Sequence, residues 1–173
     1  MRDYSVYKDH FQYLMMVIDV FSKYTWVMPL HNKNGKSVVE ALDSIIGERK
    51  PHKLGVVHGS EFYNRLSWIG FKKNNIDLYS TQNPCKASVV EQFNRTLKTH
   101  TWKRFTTDNT NRYLDFLPDL VDQYNHAWDH SIRMTPTEAS STHQKQQVTE
   151  AIFLRFKFKV GDHVRISRQK KHL

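Results

Sequence analysis

The chain has 173 residues, 39% of them hydrophobic and 13% aromatic, which excludes a disordered polymer and gives enough apolar surface for one packed domain. Its 26 Lys and Arg against 17 Asp and Glu leave a net charge of +9, the balance expected of a protein with a polyanionic partner, nucleic acid first among them. A single cysteine, Cys85, excludes an internal disulfide framework and a multi-cysteine zinc site, and no apolar run reaches membrane-spanning length. With no secretory pattern at the N-terminus, the expectation is a soluble, nuclear or cytoplasmic protein that is not secreted and touches no membrane.

In chain order, Met1 to His10 is polar and without a period. Phe11 to Phe21, FQYLMMVIDVF, is an almost unbroken apolar run rich in β-branched and aromatic residues, the pattern of a strand buried on both faces. Ser22 and Lys23 turn the chain, and Tyr24 to Leu30 returns antiparallel, ending at Pro29. Ser37 to Gly47 is a predicted helix with Val38, Leu42, Ile45 and Ile46 on one stripe and Gly47 as its stop. A short strand over Lys53 to Val57, a helix over Glu61 to Lys73, another strand over Ile76 to Ser80 and a loop over Thr81 to Cys85 follow.

Lys86 to Phe105 reads as an amphipathic helix. Val90, Phe93 and Leu97 recur at three- and four-residue steps, and Glu91, Asn94, Arg95 and Lys98 fall on another face. Taken alone, an acid beside cations on a helix is an ordinary solvated ion-pair face. A second helix is expected from Asn109 to about Trp128, with Pro118 breaking or kinking it, then a polar loop and linker from Ser131 to Gln147. Val148 to Phe156 reads as a short helix and Phe158 to Ser167 as strands. A strand hairpin followed by alternating helices and strands indicates an α/β layer fold. Seven of the cations, against one acid, Asp162, fall between Arg155 and Leu173; the plain alternative there is a solvated basic tail.

Five segments in order carry a specific resemblance: VIDVFSKYTWVMPL (Val17 to Leu30), HGSEFYN (His58 to Asn64), KASVVEQFNRTLK (Lys86 to Lys98), YNHAWDHSIRMTPTEA (Tyr124 to Ala139) and FKVGDHVRIS (Phe158 to Ser167). Together they resemble the retroviral integrase superfamily, in the form found in Maverick/Polinton and Ty3-like elements and in transposon-derived host proteins. The resemblance implies a ribonuclease H-like mixed sheet flanked by helices over residues 1–140, a linker over 141–157 and an incomplete SH3-like DNA-binding barrel over 158–173; an open two-strand ribbon is marginal on its own, so Val160 to Leu173 is expected to pack poorly. It also implies that the family's first strand is missing here, its place lying between the hairpin and the Lys53 strand. Residues 2–8 would slide in, the sheet would stay gapped, or another chain would supply the edge.

Active members of the family hold two magnesium ions about 3.5–4 Å apart on three carboxylates. Glu91 matches the third carboxylate. Val57 stands where the second belongs, two residues before Gly59, and the first is expected upstream of Met1. Asp19, inside VIDVFSKY, does not take over that role; its own reading is a strand-end Asp bonding to the turn at Phe21 to Lys23. Glu91 alone does not hold two metals, so no cofactor and no strand transfer are expected, and Asp at position 57 alone is not expected to restore activity. His126 and His130 have helical metal-ligand spacing, and His58 lies beside Val57, but neither makes a complete site. A nuclease rebuilt on Asp19, Glu61 and Glu91 is the least favoured reading.

DNA binding needs only positive charge and donors. The resemblance places Lys86, Asn94, Arg95, Lys98, Lys103 and Arg104 along the DNA, with Lys157, Lys159, Arg165 and Arg168 in the barrel region. The alternative is a host-adopted interaction or dimerisation module, a homo-oligomer paired through the apolar helix from Asn109 to Trp128.

Overall fold

The computed structural model describes residues 10–48, 50–56, 62, 64–80 and 84–141. Its first unit is an antiparallel hairpin, β1 (Tyr13–Ile18) and β2 (Thr25–Leu30), in a register that sets Met15 opposite Met28 and Met16 opposite Val27. The turn is closed by Asp19, whose carboxylate accepts the Phe21 N–H at 3.0 Å and the Ser22 hydroxyl at 2.7 Å. Lys23 adopts the left-handed conformation (φ 63°) and returns its N–H to the Asp19 carbonyl at 2.8 Å.

Alternation along the hairpin divides its side chains between two cores. Tyr13, Met15, Val17, Trp26, Met28 and Leu30 face α1 (Gly35–Glu48), where they meet Val38, Ala41, Leu42 and Ile45. Leu14, Met16, Ile18 and Val27 face the opposite way, onto α3 (Pro84–Asp108) and α4 (Leu117–His126), where Phe93, Leu97, Phe116, Leu117 and Leu120 are buried. This explains the unbroken apolar run: a strand covered on both sides has no polar face to display.

The second sheet is parallel. β3 (Lys53–Val56) and β4 (Asp77–Ser80) pair with Leu54 opposite Leu78, joined through α2 (Arg65–Lys73). Leu54 and Leu78 join the same core as the first hairpin face, together with Phe71 and Ile76. Val39 packs within 3.0 Å of where a side chain on Gly70 would begin, so α1 and α2 approach closely. Among the described residues the two ladders share a core and no strand pairing. Residues 2–8, one of the three ways of closing the gap, lie outside the described residues, as do the Val148 to Phe156 and Phe158 to Ser167 segments.

Several boundaries differ from the sequence reading, and at α3, Asn109 and α5 the local reason is visible. α1 runs one residue beyond Gly47, and α2 starts at Arg65 rather than Glu61. α3 starts at Pro84, inside the stretch read as loop, because proline fits the first turn, where no N–H is required. Asn109 does not begin a helix. In left-handed conformation (φ 47°) it ends α3, and the Thr110 N–H closes back onto the Phe105 carbonyl at 3.3 Å. A 3₁₀ turn (Tyr113–Asp115) follows, and Pro118 sits in the first turn of α4, so the break precedes the proline. The supposed linker contains α5 (Pro136–Ser140), opened by a capping box: the Thr135 hydroxyl accepts the Glu138 N–H at 3.2 Å and Glu138 accepts the Thr135 N–H at 2.8 Å. The Thr135 N–H and, at 2.9 Å, the Thr135 hydroxyl donate to the Glu138 carboxylate and hold it below its usual pKa.

The end of α4 is tied to the hairpin by one buried amide. Asn125 Oδ1 accepts the Thr25 N–H at 2.9 Å and the Thr25 hydroxyl at 3.1 Å, and its Nδ2 donates to the Thr25 carbonyl at 3.0 Å. The Thr137 hydroxyl donates to the Asn125 carbonyl at 2.9 Å, and Ile132, Met134 and Ala139 close around Phe21. Replacing Asn125 with Ala leaves the buried N–H and carbonyl of Thr25 unpaired, so we expect a loss of about 2–4 kcal/mol in urea unfolding. Phe93→Ala, emptying a fully buried ring site, should cost about 3–5 kcal/mol in the same measurement.

Candidate nucleic-acid interface

α3 buries one face because its inner residues recur at helical steps. Phe93, Leu97 and Thr101 are buried, and the Thr101 hydroxyl satisfies itself on the Leu97 carbonyl at 2.8 Å. On the other side, Glu91, Arg95, Lys98 and Trp102 follow one another at steps of four, three and four residues, which aligns them along a single face. All four are exposed. Among the described residues Glu91, Arg95, Lys98 and Lys103 have no ion-pair partner. Lys103 is exposed as well, about a quarter turn around the helix from the row.

The other sequence-predicted contact residues divide. Lys86 lies in the first turns of α3, upstream of the row. Asn94 is half-buried, and its Oδ1 is enclosed without a donor. Arg104 is not with the row. It pairs with Asp108 one turn on and lies over the Phe116 ring, 5.9 Å from its centroid. Lys157, Lys159, Arg165 and Arg168 lie outside the described residues, as do Val57, His58 and Glu61.

Among the described residues no three carboxylates gather into a metal-holding group. Asp19 is engaged by its own turn, as its position at a strand end suggested. His126 and His130 do not share a helix face: α4 ends at His126, and Ala127 is already extended (φ −78°, ψ 144°). The His126 Nδ1 instead faces its own helix, 2.9 Å from the Asp122 carbonyl oxygen and 3.1 Å from the Asp122 carboxylate. Among the described residues no group of three His, Cys, Asp or Glu could hold a metal. The resemblance sets Val57, which has no lone pair to offer a metal, at the second carboxylate position, and that residue lies outside the described ones.

One residue missed in sequence is Asn125, whose buried amide positions α4. The signal was an amide one step past the apolar stripe at Tyr124.

This arrangement, a two-faced hairpin between helical layers beside a parallel pair, is the fold of retroviral integrase catalytic cores. The magnesium-bound catalytic core of HTLV-2 integrase, in trimeric form, matches with a TM-score of 0.65 and 14% identity, over 74% of this chain and 84% of that one. A chain of the simian T-cell lymphotropic virus intasome, solved with a PP2A regulatory subunit, matches with a TM-score of 0.68 and 18% identity, over 74% of this chain and 48% of that one. In sequence, the chain is similar to an uncharacterised transposon-derived protein of Caenorhabditis elegans, 31% identical over 173 residues and 98% of this chain. The chain spans 60% of that relative's length. No family profile matches the sequence. No helix among the described residues is long and apolar enough to cross a membrane.

Asp19→Ala removes two turn hydrogen bonds and should lower stability by about 1–3 kcal/mol in urea unfolding. Magnesium should leave the melting temperature of both proteins unchanged; a rise confined to the Asp19 form would mark it as a metal ligand.

Proposed function

We propose that the chain is a transposon-derived member of the integrase superfamily that binds DNA without joining it. The supporting observation is the exposed α3 row, with Arg95 and Lys98 unpaired among the described residues, on a fold shared with integrase cores. Cations on a rigid helix meet phosphates at little ordering cost, and the net charge of +9 supplies attraction at longer range. Catalysis is a stricter requirement. A valine has no lone pair to offer a metal, and a carboxylate facing a dication at 4 Å would supply about 8 kcal/mol before desolvation at an effective dielectric near 20. Losing that ligand at position 57 is reason enough for an inactive centre.

The dimerisation reading has less support. Of the apolar stripe between Asn109 and Trp128, Tyr113, Leu117 and Leu120 are buried in the core shared with α3, and Leu114, Val121 and Tyr124 pack against it partly buried.

Retention on duplex DNA should fall steeply as salt rises. Arg95→Glu with Lys98→Glu should flatten the dependence of log affinity on log salt by about 2, near 0.9 for each phosphate no longer neutralised. Retention that ignores salt would refute DNA binding. A magnesium-dependent nicking or strand-transfer product that disappears in Glu91→Ala would refute the inactive centre.

A further inference from the structure

We infer that the α3 row takes unpaired bases, so that its preferred ligand is single-stranded nucleic acid or a frayed duplex end. The inference rests on the nucleic-acid reading above and names the ligand class of the same site. It is carried by Trp102, the fourth member of the row, which keeps 49% of its surface exposed.

A large apolar ring on an outer helix face has to be accounted for, and its surroundings describe a platform. Phe105 meets Trp102 edge-on with ring centroids 5.6 Å apart, and Phe105 in turn meets Phe116 edge-on at 5.8 Å. Phe116 is 6% exposed and belongs to the core. The indole is therefore linked through two edge contacts to the packed interior while 49% of its surface stays exposed.

Charge selects the occupant. Lys98 precedes Trp102 by one helical turn, about 6 Å along the axis, and Arg95 precedes Lys98 by about 4.5 Å. A single nucleotide spans the first interval, with its phosphate at Lys98 and its base on the ring. Exposed cations interleaved with an anchored aromatic form the arrangement by which proteins hold single strands with little sequence preference, since every base has a face to stack. A duplex offers its phosphates to Arg95 and Lys98 but keeps its bases stacked away from Trp102.

The test is fluorescence anisotropy on the full chain with labelled oligothymidylate and a hairpin duplex of equal charge. The single strand should bind more tightly. Trp102→Leu, which keeps an apolar neighbour for Phe105, should weaken single-strand binding about 5- to 150-fold and change duplex binding less than about twofold. Trp102→Phe should restore most of the loss, and quenching of tryptophan emission by oligothymidylate should largely vanish in the Leu variant. Equal affinity for the two ligands, an equal loss for both in Trp102→Leu, or no loss for either would overturn the inference while leaving DNA binding standing. Binding of neither ligand would overturn both.

Discussion

The hairpin's burial on both faces is the constraint on which the rest of the structure depends. Alternate residues of β1 point into different cores, so Met15 and Met16, adjacent in sequence, help to hold together opposite layers of the protein. A one-residue slip in register would exchange the two sets and place the wrong shapes against α1 and α3 at once. The register is pinned at the turn by Asp19 and at the start of β2 by Asn125, the second from a hundred residues away in sequence. The Asn125 amide matches both backbone groups of Thr25, satisfying a donor and an acceptor that burial would otherwise leave unpaired. Helix α3 takes its position from this arrangement, because its inner face packs on the side of the hairpin that Leu14, Met16 and Ile18 present.

Much of this was legible in the sequence where period and composition agreed. The apolar run from Phe11, the return strand, the stripe of α1 and the inner face of α3 each follow from spacing alone, because burial leaves a period that solvent does not blur. Boundaries were harder, since they are set by single residues with competing meanings. Asn109 reads equally well as a helix start or a left-handed stop; the Thr110 bond to Phe105 makes it the stop. Thr135 and Glu138 were a readable capping box, hidden by the polar character of their neighbours. The site was legible as a row, because Glu91, Arg95 and Lys98 keep helical spacing. Arg104 was not separable from it by composition: only the position of Asp108 and the Phe116 ring shows that its charge is engaged elsewhere.

The outer and inner faces of α3 are coupled through its aromatic residues. Phe105 is half-buried between the helix surface and Phe116, and it links the exposed Trp102 to the core. A packed core under an exposed ring helps to orient that ring through the edge contacts of Phe105 and Phe116. Stability of the α3–α4 layer and order at the surface row are therefore two consequences of the same packing.

Metal chemistry and nucleic-acid binding place different demands on such a scaffold. A two-metal centre needs carboxylates brought together from several elements, each within bonding distance of the same ions, and one apolar replacement breaks the set. A basic row needs a single helix with its face outward, and its contributions are separable, so losing one cation lowers affinity without abolishing it. The sequence resemblance sets Val57 at the second carboxylate position, while Arg95 and Lys98 keep the spacing of one helix face. On such a scaffold the first demand fails with one substitution and the second tolerates many, and the core that supports α3 is the same in either case.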